Sequence, residues 1–215
     1  MGIYIEALVL YILLFLHGSL AFFAGSGSEA ANFSVTAELV NIFAYLMPAL
    51  VLIWYLITKT PKIEIWAVRP GKKDLLSCII TFPCLLITGL VVTIIGSYIS
   101  GPSESITLNL PSSVIEWILL FITCFLSAYL EESYFRFYLL SKREEFNLNA
   151  VSALALSVVL FSICHIYEGP WGFLNAVISG TILGFMFLRY NSLHGIAIAH
   201  TLYNISIYII SGLSI

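Results

Sequence analysis

The sequence predicts an all-α membrane protein, a polytopic bundle of about seven transmembrane helices. Of its 215 residues, 60% are hydrophobic and only 10% are charged, whereas soluble domains carry roughly a quarter charged residues. The apolar residues fall into seven runs near the length of about 20 residues that a helix needs to cross a bilayer. These runs are apolar on every face, so they lack the alternation typical of membrane β-strands.

The seven predicted spans follow one another with short connections. The first run is long and has no basic residues before it, so we interpret it as a span rather than a signal peptide. No long-period repeat or low-complexity tract divides the chain, and residues 1–215 are predicted to form one membrane domain. The predicted spans are approximately Ile3–Gly25, Glu38–Ile57, Leu75–Ile99, Val114–Leu140, Ala150–Ile166, Trp171–Leu188 and Ser192–Ile215.

Lysine and arginine are confined to alternate connections. They occur after the second, fourth and sixth predicted spans and are absent after the first, third and fifth. By the positive-inside rule, the N-terminus is predicted to be cytoplasmic and the C-terminus outside, in a prokaryotic plasma membrane. The basic residues of these connections are Lys59, Lys62, Arg69, Lys72, Lys73, Lys142, Arg143 and Arg189.

Composition also argues against a nucleic-acid partner and against a cysteine-based disulfide framework or zinc site. The formal net charge is −3 and no basic cluster is interleaved with aromatic residues, so nucleic acid is not a predicted partner. The four cysteines lie in apolar runs without CxxC spacing and are interpreted as small buried side chains. The partner implied by composition is the lipid bilayer.

The densest group of ionisable residues inside an apolar run lies in the fourth span. Such groups cost several kcal/mol in a bilayer unless they are paired or face water. Glu132 and Arg136 are four residues apart and are predicted to pair on one helix face. Glu131 is rotated by about 100° from Glu132 and has no equally obvious partner, which leaves one carboxylate for chemistry. A helix end near the cytoplasm is the competing interpretation.

Two later spans carry histidines that share a helix face with a neighbour. In the fifth span Phe161 and His165 are one turn apart, and in the seventh span His200 and Asn204 are four residues apart. A single histidine near a helix end is commonly structural, and hydrogen bonding between helices would also explain the His200 and Asn204 pair. His194 is interpreted as an interfacial residue. These two pairs indicate a functional site only if their side chains lie close to the glutamates of the fourth span.

Depths along the helices indicate that these groups can meet. Counted from the predicted cytoplasmic ends at about 1.5 Å per residue, Glu131, His165 and His200 lie roughly 16, 24 and 16 Å deep. Three helices therefore bring polar groups to a common layer near the bilayer midplane.

A carboxylate, two imidazoles and a carboxamide in such a layer can hydrolyse an acyl bond with water as the nucleophile. An ionised Glu131, with His165, can take a proton from water as it attacks a peptide carbonyl. His200 and Asn204 can donate hydrogen bonds to the oxygen that becomes negative. The sequence therefore predicts catalytic roles for these four residues.

The order of these residues resembles a known family. Three motifs carry the resemblance: Glu131-Glu132-xxx-Arg136, Phe161-xxx-His165 and His200-xxx-Asn204. They look like those of the CPBP family, the CAAX proteases and bacteriocin-processing enzymes also called Abi. The resemblance covers the C-terminal half, and the family-like core is approximately residues 114–215.

The resemblance implies an intramembrane glutamate endopeptidase without a cofactor or metal ion. Its substrate would be a prenylated CAAX protein cleaved near the C-terminus or another membrane-associated peptide, and bacterial relatives are linked to peptide maturation and bacteriocin self-immunity. The implied catalytic residues are Glu131, His165, His200 and Asn204, and the implied supporting residues are Glu132, Arg136 and Phe161.

Three alternatives remain open at this point. His165, His200 and Glu131 could form a three-ligand zinc site, although there is no HExxH helix. The same polar residues could hold together a non-catalytic membrane scaffold or a bacteriocin self-immunity protein. Glu131 could also be the relay of a proton-coupled transporter, although no repeat is detectable.

Overall fold

The structure is a computed structural model, which describes residues 2–23, 33–59, 68–100 and 110–213; the side chains of 16–23 and 212–213 lie outside the description. The described ranges are helical and contain no strand. The all-α fold class is therefore confirmed.

Seven helices run through the described residues, one for each predicted span. Their ends differ from the predicted ends by a few residues, because a hydropathy pattern does not contain the capping hydrogen bonds that end a helix. The helices are α1 Ile3–Phe23, α2 Val35–Thr58, α3 Lys72–Ser100, α4 Val114–Ser141, α5 Ala150–Cys164, α6 Gly169–Tyr190 and α7 Leu193–Leu213.

Five of these helices are long and apolar enough to cross a membrane within the described residues, namely α2, α3, α4, α6 with the turn before it, and α7. The fifth helix is shorter, with 15 residues. It ends where a 3-10 turn, Ile166–Glu168, leads into Gly169, whose φ of +79° reverses the chain. Pro170 then occupies the first turn of α6. This reversal places His165 at the end of a short helix.

Side-chain caps explain where three helices begin. Ser34, Ser113 and Asn149 precede α2, α4 and α5, and each side chain accepts a hydrogen bond from a backbone N–H of the first turn. The cap satisfies a donor that has no partner inside the helix.

The helices pack around one segment of α4. Going round the bundle, α7 lies between α4 and α3, and α6 lies between α3 and α5. The segment Glu132–Tyr138 is a π-helical turn in which all seven residues are buried. Its backbone widens so that the N–H of Leu139 donates to the carbonyl of Tyr134, five residues earlier. The centre of the bundle is therefore a segment of the fourth span that contains charged residues.

Small residues allow two close helix crossings. Gly180 and Gly184, four residues apart on α6, face α5. A Cβ atom would lie 3.0 Å from the Phe161 ring at the first position and 2.3 Å from Leu154 at the second. The small-residue pair in this span therefore serves close packing, as such pairs do in membrane bundles.

A third close crossing joins α7 to α3. A Cβ atom on Gly195 would lie 2.5 Å from the carbonyl oxygen of Asp74 and 2.7 Å from the Cβ of Ser77. The backbone N–H of Gly195 also donates to Ser192, whose hydroxyl in turn donates to the Asp74 carboxylate. Because one obstacle is backbone, a side chain here cannot be accommodated by a rotamer change.

We therefore expect Gly195→Ala to destabilise the protein by about 1–3 kcal/mol, the usual cost of overpacking. Gly71→Ala is the matched control, because nothing lies within 4 Å of a Cβ at that position. The measurement is the free energy of unfolding in detergent micelles. Equal stability of the two variants would contradict the close approach of α3 and α7.

Candidate active site

The predicted pair in the fourth span forms a buried salt bridge. Arg136 Nη1 lies 3.0 Å from Glu132 Oε1, and both side chains are completely buried. The pairing predicted from the four-residue spacing is confirmed. The pair lies in the core of the bundle and is not an exposed helix end.

Arg136 also connects α4 to two other helices. Its Nη2 donates a hydrogen bond of 3.2 Å to the carbonyl oxygen of Gly180 on α6. The guanidinium carbon lies 4.3 Å from the centroid of the Phe161 ring on α5, a cation–π distance. The buried charge therefore has a carboxylate, a carbonyl and an aromatic face as neighbours.

His200 on α7 lies between the two adjacent glutamates. Its Nδ1 is 2.9 Å from Glu132 Oε1, and its Nε2 is 3.7 Å from Glu131 Oε2. Because Glu132 is paired with Arg136, it accepts this hydrogen bond and the imidazole Nδ1 donates. The other ring nitrogen is left facing Glu131, at a distance too long for a direct hydrogen bond.

Glu131 is the less constrained of the two glutamates. Ser127, one turn earlier, donates a 3.2 Å hydrogen bond to Glu131 Oε1, while Oε2 is buried and has no hydrogen-bond partner among the described residues. The side chain is 16% exposed, whereas that of Glu132 is completely buried. We expected Glu131 to point away from Glu132; in the structure both carboxylates turn toward one imidazole from opposite sides.

His165 lies at the end of α5 with its ring orientation set by the backbone. Its Nδ1 is 2.8 Å from the carbonyl oxygen of Phe161, so this nitrogen donates and, in the neutral ring, Nε2 is the acceptor. The Phe161 and His165 rings are in tilted contact with centroids 4.5 Å apart, and the centroid of the Phe161 ring lies 6.1 Å from that of His200. Phe161 thus contacts both histidines and Arg136.

Asn204 lies one turn beyond His200 on α7. It is half-buried, and its side chain forms no hydrogen bond with any described residue. The structure therefore brings Glu131, Glu132, Arg136, Phe161, His165 and His200 into one cluster and leaves the amide of Asn204 unbonded beside it.

The family comparison covers the segment of the chain that carries this cluster. Residues 113–206 match the family model described as type II CAAX prenyl endopeptidase Rce1-like. This segment of the chain is similar to that family and is termed the Rce1-like segment. It runs from the cap of α4 into the middle of α7 and contains every residue of the cluster. The match confirms the resemblance drawn from the three motifs and supports a membrane protease of CAAX type at the family level. No curated protein and no solved structure matches the chain with significant similarity.

Two residues of the Rce1-like segment that approach the site were not predicted from the sequence. Ser127 donates a hydrogen bond to Glu131. Its position one helical turn before Glu131 could have indicated this contact. Glu168, three residues after His165, lies close enough to interact electrostatically with His165, Glu131 and His200. From the sequence, a glutamate next to a turn is expected to be a surface residue. The chain reversal at Gly169 brings Glu168 to the cluster.

The remaining histidine of the Rce1-like segment has a packing role. His194 Nε2 donates to the carbonyl of Val68, and the Tyr129 hydroxyl donates to its Nδ1, both at 3.0 Å. It therefore ties α7 to α4 and to the segment before α3, which is more than the interfacial position that we expected.

Glu131, His165 and His200, which were considered as zinc ligands, are not arranged as a metal site. Within the described ranges, no group of three or more His, Cys, Asp or Glu side chains is arranged to hold a metal ion. His200 Nδ1 donates to Glu132 and His165 Nδ1 donates to a carbonyl.

We expect Arg136→Gln to destabilise the protein by about 3–5 kcal/mol, because it leaves the carboxylate of Glu132 buried without its partner charge. Arg189→Gln is the control, since Arg189 is exposed at the end of α6. The free energy of unfolding in detergent, measured for both variants, tests this. A loss of similar size in the control would show that the buried pair is not the cause.

Proposed function

We propose that this chain is an intramembrane endopeptidase that hydrolyses a peptide bond with water activated by Glu131 and His165. The substrate is a prenylated CAAX-type protein, cleaved near its C-terminus, or another membrane-associated peptide. The observation that carries the proposal is the position of the His200 imidazole, which is held by Glu132 on one side and faces Glu131 across 3.7 Å on the other.

Glu131 is the group suited to activate water. Ser127 occupies one of its oxygens, and the other oxygen is without a partner and faces His200. An oxygen atom placed beside the gap can lie roughly 2.8 Å from both Oε2 and Nε2, a normal hydrogen-bond distance. A water there donates its proton to the carboxylate as its oxygen attacks the peptide carbonyl.

His200 and Asn204 are suited to stabilise the negative oxygen of the tetrahedral intermediate. In the imidazolium form, Nδ1–H donates to Glu132 and Nε2–H is free to donate to that oxygen. Asn204 follows one turn later with an amide that no described residue occupies, and it supplies a second donor. Glu132 and Arg136 support the reaction by holding the ring.

His165 is suited to complete the proton transfer. Its tautomer is set by the Phe161 carbonyl, so Nε2 is the nitrogen that accepts a proton. The water proton taken by Glu131 and His165 is delivered to the nitrogen of the scissile bond as the C–N bond breaks. The new C–O bond comes from water, so the products are a carboxylic acid and an amine.

The membrane topology is part of the proposal. The segments rich in Lys and Arg are placed on the cytoplasmic side of a prokaryotic plasma membrane, with the N-terminus inside and the C-terminus outside. This orientation stays a prediction from the loop charges.

We expect Glu131→Gln to abolish cleavage while leaving the midpoint of thermal unfolding nearly unchanged, because the amide keeps the volume but cannot take a proton. The purified protein is given prenylated and unprenylated candidate peptides, and released fragments are mapped by mass spectrometry. Glu144→Gln is the matched control, an exposed glutamate in the connection after α4.

Two results would oppose the catalytic role of Glu131. Undiminished cleavage by Glu131→Gln would remove it from the mechanism. Parallel loss of folding and cleavage would favour the scaffold interpretation, in which the cluster only holds helices together.

We also expect cleavage to survive exhaustive treatment with a chelator, because the proposed base, proton carrier and oxyanion donors are all side chains. Activity is measured before and after chelation and again after zinc is added. Loss with the chelator and recovery with zinc would replace this mechanism with that of a zinc protease.

A further inference from the structure

Glu168 is a third carboxylate beside the cluster, and the proposed mechanism does not use it. It lies in the turn between α5 and α6, is half-buried, and is within electrostatic range of Glu131, His165 and His200. It forms no salt bridge with a lysine or arginine of the described residues. The Tyr167 hydroxyl and, when protonated, the His165 imidazole stabilise its charge. A further cation that approaches this half-buried carboxylate adds to that stabilisation.

The local backbone holds this carboxylate against the start of α6. Gly169 reverses the chain with a φ of +79°. A Cβ atom on Gly172 would lie 2.2 Å from the Cβ of Glu168 and 2.9 Å from its Oε2. A side chain at residue 172 would therefore displace the carboxylate, and the glycine is what leaves room for it.

None of the described lysine and arginine residues lies on this side of the site. Arg136 is paired with Glu132, and the other described ones lie at or just beyond the C-terminal ends of α2, α4 and α6 or in and just before the first turn of α3, at the opposite end of the bundle. Glu38 at the start of α2 adds a further carboxylate at the α5–α6 end, and Tyr208 is within electrostatic range of both Glu38 and Glu168. The approach to the site from this end is therefore negative.

We infer that Glu168 is a specificity-determining residue that favours a substrate with a lysine or arginine side chain next to the scissile bond. The inference rests on the proposed function and deepens it by naming the charge of the substrate segment. A cation at this position interacts with Glu168 in a region of low dielectric constant, where the attraction is larger than in water. A free C-terminal carboxylate placed there is disfavoured for the same reason.

The test uses the full-length protein in micelles and three synthetic apolar peptides, which are amide-capped and identical except for Lys, Gln or Glu beside the central bond. We expect kcat/KM to be about tenfold higher for the Lys peptide than for the Gln peptide, and lowest for the Glu peptide. Glu168→Gln removes this preference, Glu168→Asp keeps it, and Glu144→Gln leaves it unchanged. High salt weakens it, because the site is partly open to solvent.

Two outcomes would overturn the inference. The first is an equal kcat/KM of the wild-type protein for all three peptides. The second is a uniform decrease in kcat/KM for all three peptides in Glu168→Gln, because Glu168 would then only position His165. The dissociation constants of the same peptides are measured in parallel. Selective binding of the Lys peptide without cleavage would support the inference and contradict the proposed hydrolysis. Cleavage of all three peptides without selectivity would support the proposed hydrolysis and contradict the inference. Absence of both binding and cleavage would contradict both.

Discussion

The buried charge of Arg136 is the constraint on which the rest of the bundle depends. A guanidinium completely removed from water must be compensated by nearby groups. Its compensation comes from Glu132 on its own helix, the Gly180 carbonyl on α6 and the Phe161 ring on α5. Glu132 then also accepts a hydrogen bond from His200 on α7. Four helices are therefore held in position by one network, and groups that we propose for catalysis are part of it.

The segment around Arg136 is rigid because it is packed on all sides. The Tyr134 hydroxyl donates to the Ala7 carbonyl on α1, and the Ser157 hydroxyl on α5 donates to the Phe135 carbonyl. The Phe137 ring stacks on Trp54 of α2. These contacts surround a π-helical turn, a form that occurs frequently at functional sites. The site thus combines a fixed wall on α4 with the more open turn after α5, which carries His165 and Glu168.

Much of the site could be predicted from residue spacing. The pairing of Glu132 with Arg136 follows from a separation of four residues, and the depths of Glu131, His165 and His200 place them in one layer. The hydrogen bond of His200 to Glu132 rather than to Glu131 could not be predicted, because it depends on the distance between α4 and α7. The approach of Glu168 could not be predicted either, since it depends on a chain reversal at a single glycine and on the space left by Gly172.

The seven apolar runs and the three motifs are properties of consecutive residues, so the helical fold class and the residues that we propose for catalysis could be read from the sequence alone. Only the tertiary structure decided which nitrogen of each imidazole faces which acceptor, and that Glu131 keeps one oxygen beside His200 without a hydrogen-bond partner among the described residues. Those outcomes depend on separations of a few ångströms between helices. Such separations are set by close contacts at positions such as Gly180 and Gly195, where residues far apart in the chain exclude one another's volume.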